Sequence, residues 1–119
     1  MLKGLRVLIV EDVFLVAEGI KHIVEVAGAV VLGPIPTLEG ALDYVAADED
    51  IGVALVDMNL RDQFADELNR RLVENGIPFI IVTGYEALPM DDSDAFGVVH
   101  KPVDKDELLA MLCRVVAGK

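Results

Sequence analysis

The 119-residue sequence predicts one α/β domain, an open parallel sheet of about five strands with helices on both faces. Five short apolar runs alternate with helical patterns, which is typical of parallel strands joined by crossover helices. The runs are rich in Val, Ile and Leu and lack polar alternation, so each strand is expected to be buried on both faces. They span residues 5–10, 30–32, 53–56, 79–82 and 98–99.

Apolar residues spaced three and four apart predict the first two helices. The first helix is expected to end at Gly28, and its apolar stripe comprises Val16, Ile20, Ile23, Val24 and Ala27. Thr37 has the side-chain hydroxyl of a good N-cap and is expected to start the second helix. The stripe of that helix comprises Leu38, Leu42 and Val45.

The same periodicity predicts a third helix and a last one. The third is expected to end at Asn75-Gly76, and its stripe comprises Phe64, Leu68 and Leu72. Asp104 and Glu107 have capping-box spacing, which predicts the start of the last helix. Its stripe comprises Leu108, Leu112, Val115 and Val116.

The segment of residues 86–96 has a different composition. It contains Pro89 and several Asp and Ser residues, which interrupt helices and favour turns. The fourth helix, expected in this segment, is therefore predicted to be short or irregular. Its acidic side chains, Asp91, Asp92 and Asp94, are expected to be solvated, with a contact surface for a basic partner as the alternative.

Acidic residues dominate the charge of the chain. Asp and Glu total 21 against 10 Lys and Arg, a net charge of -11. Because affinity for nucleic acid depends on cationic side chains, this balance argues against nucleic acid and favours metal ions or basic protein surfaces as partners. Hydrophobic residues make up 54% of the chain, too many for a disordered acidic tail.

The sequence also predicts a cytoplasmic protein. Its apolar runs are far shorter than the roughly 20 residues that span a bilayer, and no signal-peptide pattern precedes the first strand. The single cysteine, Cys113, cannot form an internal disulfide, which agrees with a reducing compartment. We therefore expect one cytoplasmic domain over residues 1–119, with no membrane partner.

Polar residues follow four of the five predicted strands. In an open parallel sheet, sites form at the carboxyl ends of the strands, so these residues are expected to converge at one edge. They are Glu11 and Asp12 after the first strand, Asp57 after the third, Thr83 after the fourth and Lys101 after the fifth. Gly84 follows Thr83, and Pro102 follows Lys101.

Three carboxylates at one edge need a cation or protons among them, because like charges repel strongly at low dielectric. Mg²⁺ suits such a site, since it takes one or two carboxylates and leaves room for phosphate oxygens. Lys101 and Thr83 would then contact a phosphoryl group. The set lacks a general base but includes a carboxylate nucleophile, which can form an acyl phosphate.

In this order after successive strands, the residues resemble the receiver domain of two-component response regulators, over essentially the whole chain. The resemblance implies a flavodoxin-like sheet with strand order 2-1-3-4-5. It also implies that Asp57 is the phosphoacceptor and that Mg²⁺ is the cofactor. The implied metal ligands are Glu11, Asp12, Asp57 and the backbone carbonyl of Asn59.

The resemblance assigns roles to the remaining residues as well. Thr83 would contact the phosphoryl oxygens, and Lys101 would pair with them. Gly84 would leave the phosphate accessible, and Pro102 would form a cis-like turn after the lysine. Asn59 and Tyr85, two residues beyond the acceptor and the threonine, would tune how water reaches the acyl phosphate.

Two sequence features refine the resemblance. The run from Pro78 to Tyr85 is similar to receivers with a Phe-Ala-Thr-Gly-Tyr-like sequence, departing at Ile81 and Val82. Val98 stands where many receivers have Tyr or Phe, so the usual switch of threonine and ring does not carry over. Our hypothesis is that phosphorylation instead orders residues 86–96.

The resemblance implies a signalling switch that accepts a phosphoryl group from a phosphohistidine on a sensor histidine kinase or histidine phosphotransferase. We expect a stand-alone receiver that signals by protein contact or relays phosphate, and that turns over no external substrate. The downstream partner and the choice between monomer and homodimer stay open. His22 and His100 are expected to be structural or surface residues, since neither has a second ligand at metal spacing.

Two alternative functions were weighed. One is a phosphorylation-independent interaction module with the receiver fold, which Val98 favours and the intact acid set disfavours. The other is a magnesium-dependent phosphohydrolase, which would carry a second Asp where this chain has Asn59. A nucleotide-binding fold is disfavoured because Val10-Glu11-Asp12 replaces the Gly-rich turn expected after the first strand.

Overall fold

The computed structural model describes residues 2–48, 50–60, 63–84 and 94–118. Five parallel strands form one sheet in the order β2-β1-β3-β6-β7, which confirms the predicted order of the five main strands. Two very short strands, β4 and β5, form a separate antiparallel pair. Along the chain the elements are β1 (Arg6–Val10), α1 (Phe14–Val26), β2 (Val30–Ile35), α2 (Leu38–Ala47), β3 (Val53–Asp57), β4 (Asn59–Leu60), β5 (Gln63–Phe64), α3 (Asp66–Glu74), β6 (Phe79–Thr83), β7 (Gly97–His100) and α4 (Lys105–Ala117).

The sheet separates two hydrophobic clusters, one on each face. Alternate residues of β1 point to opposite faces, so Val7 and Ile9 join one cluster while Leu8 and Val10 join the other. The first cluster also contains the apolar residues of α1 and α4, and the second contains those of α2 and α3. The predicted placement of helices on both faces is therefore confirmed.

Burial differs between central and edge strands. Every residue of β3 and β6 is buried, as predicted for strands covered on both faces. The same prediction is wrong for the edge strands: Val30 in β2 is 44% exposed, and β7 is only partly buried. An edge strand has one strand neighbour and less helical cover, although its apolar sequence is the same.

The predicted end of α1 and the predicted starts of α2 and α4 are confirmed. Thr37 Oγ1 accepts a hydrogen bond from the backbone N–H of Gly40 at 3.1 Å, and Asp104 Oδ2 accepts one from that of Glu107 at 2.9 Å. After α1 the chain reverses at Gly28, whose φ of +99° favours glycine.

The start of α3 differs from the prediction. Phe64, predicted on the stripe of this helix, lies in β5, and α3 begins at Asp66. The backbone N–H of Ala65 donates to the carbonyl of Met58 at 3.1 Å, which closes the β4–β5 hairpin before the helix starts. Asp66 and Glu67 then occupy the first turn, where carboxylates suit the helix dipole. The predicted end at Asn75-Gly76 is confirmed.

The predicted fourth helix lies mostly outside the described residues. Residues 94–96, at the end of that segment, form a turn and bends, and the N–H of Phe96 donates to the carbonyl of Phe79 at 2.8 Å. Within the described part of the chain, no helix is long and apolar enough to cross a membrane. His22 and His100 are exposed, as predicted for surface residues.

Asp104→Ala should lower the free energy of unfolding by about 1 kcal/mol, because it removes the carboxylate that caps α4. Urea denaturation measures this change. Asp106→Ala is the matched control, since Asp106 lies in the first helical turn but is not the N-cap. Equal losses in the two variants would contradict a capping role for Asp104.

Candidate functional site

Three carboxylates meet beyond the carboxyl ends of β1 and β3. Glu11 and Asp12 follow β1, and Asp57 is the last residue of β3. The two strands are neighbours, with Val10 opposite Val56, so the residues that follow are side by side. One carboxylate oxygen from each acid lies within 4.8 Å of the other two. The predicted convergence of these acids is present in the structure.

Lys101 reaches this cluster from the end of β7. Its Nζ lies 2.9 Å from Glu11 Oε1 and 3.3 Å from Asp57 Oδ2. The side chain of Lys101 is 21% exposed, against 1% for Glu11 and 7% for Asp57, so it is the most exposed of the three. Its backbone N–H donates to the carbonyl of Thr83 at 2.7 Å, and the peptide bond to Pro102 is cis.

Glu11 is the most buried acid of the cluster. Its Oε2 accepts a hydrogen bond from the backbone N–H of Val13 at 3.1 Å, at the start of α1. Its Oε1 forms an ion pair with Lys101 Nζ at 2.9 Å. Burial, followed by the contact with Asp57, raises the pKa of Glu11 to about 7, although Lys101 and the Val13 N–H oppose the shift.

The acids in turn change the pKa of Lys101. Burial lowers the pKa of Lys101, but the contact with Glu11 and the charge of Asp57 outweigh burial, so its pKa is raised overall. The ammonium group therefore stays charged across the physiological range. With one ammonium among three acids, the cluster keeps a negative excess when the acids are ionised.

The residues present fit a hard divalent cation. The oxygens of three different carboxylates are close enough to share one ion. The backbone of Asn59 lies in β4, two residues beyond Asp57. The chemistry of the donor set matches Mg²⁺, while the role of the Asn59 carbonyl stays a prediction.

A cavity of about 310 Å³ adjoins the acids on the side of α1 and β2. Glu11 and Asp12 form one end of it, and its walls include Phe14, Pro34 and Pro36. Asp12 is half-buried, unlike Glu11 and Asp57. The cluster is therefore open to solvent and accessible to a small ion or a phosphoryl group.

Thr83 is the last residue of β6, and Gly84 follows it. Thr83 is 1% exposed and lies opposite His100 in the β6–β7 register, one residue before Lys101. A Cβ atom at Gly84 would lie 3.8 Å from Cδ of Lys101, which is an ordinary contact. Packing therefore does not require glycine there, and access for phosphate remains the predicted reason for it.

Val98 lies opposite Ile81 in the register of β6 and β7. It is half-buried and packs against the cluster on the α2 and α3 face. Tyr85 lies outside the described residues, as does most of the segment that we expect phosphorylation to order. Their predicted roles stay predictions.

Met58 and Asn69 were not predicted from the sequence as part of the site. Met58 directly follows Asp57 and is 1% exposed. Asn69, on the inner face of α3, is 7% exposed, and its Nδ2 donates to Met58 Sδ at 3.0 Å. The only sequence signal was an amide next to Leu68 on a predicted apolar stripe.

The chain is similar to known receiver domains in sequence and in structure. Residues 7–113 match the family model described as the response regulator receiver domain. No curated protein sequence matches the chain.

Solved structures of receiver domains are also similar to this chain. The signal receiver domain of a modulated diguanylate cyclase from Desulfovibrio desulfuricans G20 is 28% identical, with a TM-score of 0.84 over 95% of this chain and 94% of that one. A CheY-like response regulator receiver domain protein from Methanospirillum hungatei JF-1 is 27% identical, with a TM-score of 0.81 over 94% and 93% of the two chains. The acid cluster at the carboxyl end of the sheet and the family match agree: this chain belongs to the response regulator receiver domain family.

Proposed function

We propose that this receiver is a signalling switch that takes a phosphoryl group from a phosphohistidine onto Asp57. The observation that carries the proposal is the position of Asp57, whose carboxylate lies within one cluster with Glu11, Asp12 and the Lys101 ammonium group. The donor would be a sensor histidine kinase or a histidine phosphotransferase, the partners of receiver domains in general. Signalling would then proceed by protein contact or by phosphate relay, in the cytoplasm.

The transfer is a displacement at phosphorus. An oxygen of Asp57 attacks the phosphorus atom, the N–P bond of the donor breaks, and its electron pair returns to the imidazole nitrogen. Mg²⁺, when bound by Glu11, Asp12, Asp57 and the Asn59 carbonyl, would neutralise the charge of the phosphoryl oxygens. The product is an acyl phosphate on Asp57.

Lys101 supports both states of the switch. Before transfer its ammonium group offsets part of the repulsion between Glu11 and Asp57. After transfer its flexible stem lets it pair with a phosphoryl oxygen, while the Thr83 hydroxyl donates to another. Attack by water on the acyl phosphate restores Asp57, and Asn59 and Tyr85 would tune the access of that water. Because only its own carboxylate is modified, we class the protein as a switch and not as an enzyme.

The site also has apolar surface beside it for a donor protein. Phe14 and Leu15, in the first turn of α1, are 71% and 79% exposed. They lie two and three residues beyond Asp12, so a protein that brings a phosphohistidine to Asp57 would cover them. Large apolar side chains exposed next to a reactive group are typical of an interaction surface.

The phosphorylation-independent interaction module remains the second candidate. Val98 favours it, because this position has no aromatic ring that could change orientation together with Thr83. The phosphohydrolase alternative has less support, since Asn59 cannot act as the general acid that a second Asp would provide.

Incubation with phosphoramidate and MgCl₂ should increase the mass of the protein by one phosphoryl group. Asp57→Asn should abolish the increase, because the amide is not a nucleophile, and chelation of the metal should slow it strongly. Mass spectrometry of the intact protein is the measurement. Asp43→Asn, at an exposed acid of α2, is the control and should be labelled like the wild type. Failure to label the wild type with any donor would leave the interaction module as the better function.

Leu15→Asp should slow phosphotransfer to Asp57 from a histidine phosphotransfer protein at least several-fold, because it places a charge in the apolar contact. Labelling by phosphoramidate should change far less, because this small donor needs no protein contact surface. Val26→Asp is the matched control: Val26 is 75% exposed on the same helix, about 16 Å further from the site. Equal slowing in both variants would argue against a docking role for the first turn.

Without metal, the wild type should lose stability relative to Glu11→Gln as pH rises from about 4.5 to about 7. Because the pKa of Glu11 is raised in the folded state, the native protein binds more protons than the unfolded chain in this window, so its free energy of unfolding falls with pH. We expect a relative loss on the order of 2 kcal/mol, measured by urea denaturation across this range. Added MgCl₂ should restore the wild type above about pH 7 and affect Glu11→Gln less. A difference between the two proteins that is constant with pH would contradict this account.

A further inference from the structure

Asn69 is a buried amide on the apolar inner face of α3. It is 7% exposed, while its neighbours on that face, Leu68 and Leu72, are 0% exposed. Burying an amide costs free energy unless hydrogen bonds compensate for the lost water. A leucine would suit the packing of this face better, so packing alone does not explain the amide.

The hydrogen bonds of the Asn69 side chain compensate poorly for its burial. Its Nδ2 donates to Met58 Sδ at 3.0 Å, and a thioether sulfur is a weak acceptor. Its Oδ1 has no hydrogen-bond partner within the described residues. The amide therefore lowers stability relative to an apolar residue, and among the described residues its side chain hydrogen-bonds to Met58.

Met58 is the residue that connects the phosphoacceptor to the next strand. It lies between Asp57, at the end of β3, and Asn59, at the start of β4. Its carbonyl accepts the N–H of Ala65 at 3.1 Å, and the carbonyl of Ala65 accepts the N–H of Asn69 at 3.0 Å. The first turn of α3 thus holds both the backbone and the side chain of Met58.

We propose that Asn69 is a positioning residue, which fixes Met58 and thereby the backbone from Asp57 to Asn59 in the orientation that metal binding needs. The inference rests on the proposed function, in which this stretch supplies a carboxylate and a carbonyl to Mg²⁺. Asn69 touches neither of these groups, and acts through the Met58 side chain. Replacing residues that orient metal ligands in this way commonly changes the metal affinity.

Two variants test the proposal from both sides of the contact. Asn69→Leu removes the donor, and Met58→Leu removes the acceptor at similar volume. Each should weaken Mg²⁺ binding about tenfold, measured by titrating the whole chain with MgCl₂ and following backbone amide chemical shifts. The double variant should bind no more weakly than either single variant, because all three lack the same contact. In the metal-free protein, amide hydrogen exchange at residues 58–60 should be faster in each variant.

The controls separate this role from simple packing and from the proposed function. Leu72→Met, a volume-conserving change on the same helix face, should leave Mg²⁺ affinity unchanged, and Asn69→Leu should be at least as stable to urea as the wild type. If Asn69→Leu does not fold, Met58→Leu decides the matter alone. Variants that bind Mg²⁺ as tightly as a binding wild type, or losses that add in the double variant, would overturn the role of Asn69. A wild type that binds no Mg²⁺ would instead refute the proposed function.

Discussion

The close approach of three carboxylates, two of which form ion pairs with Lys101, is the interaction on which this molecule depends. Glu11, Asp12 and Asp57 bring oxygens within 4.8 Å of one another, and two of these acids are almost fully buried. Such a cluster persists only because the rest of the fold holds it: a sheet buried on both faces fixes the strand ends, and Lys101 supplies a counter-charge. The same repulsion between the carboxylates would make a divalent cation favourable there.

The parallel register explains why most of the site could be predicted from the sequence. Each strand ends at the same edge, so residues that follow separate apolar runs meet in space, as Glu11 and Asp57 do. Lys101 could be placed for the same reason, because Thr83 lies opposite His100 in the neighbouring strand. Hydrophobic periodicity and strand order are therefore sufficient to predict this part of the site, without knowledge of side-chain packing.

The features that could not be predicted depend on contacts that leave no periodic pattern in the sequence. Two-residue strands are too short for a pattern, so Phe64 was assigned to the stripe of a helix and not to the β4–β5 hairpin. Val30 has the same apolar character as a central-strand residue, yet its position at the sheet edge exposes it. The contact between Asn69 and Met58 joins residues eleven positions apart through one side-chain bond, and only the packed structure brings it into view.

The ion pair between Lys101 and Glu11 has a further consequence for which ions can occupy the site. An ammonium group held 2.9 Å from a carboxylate already occupies the place that a dissolved monovalent cation would take. Potassium or sodium would have to displace a built-in competitor of equal charge and gain nothing electrostatically. A divalent ion brings twice the charge and can displace it. On charge alone, the ion pair would therefore disfavour monovalent cations in this cluster relative to divalent ones.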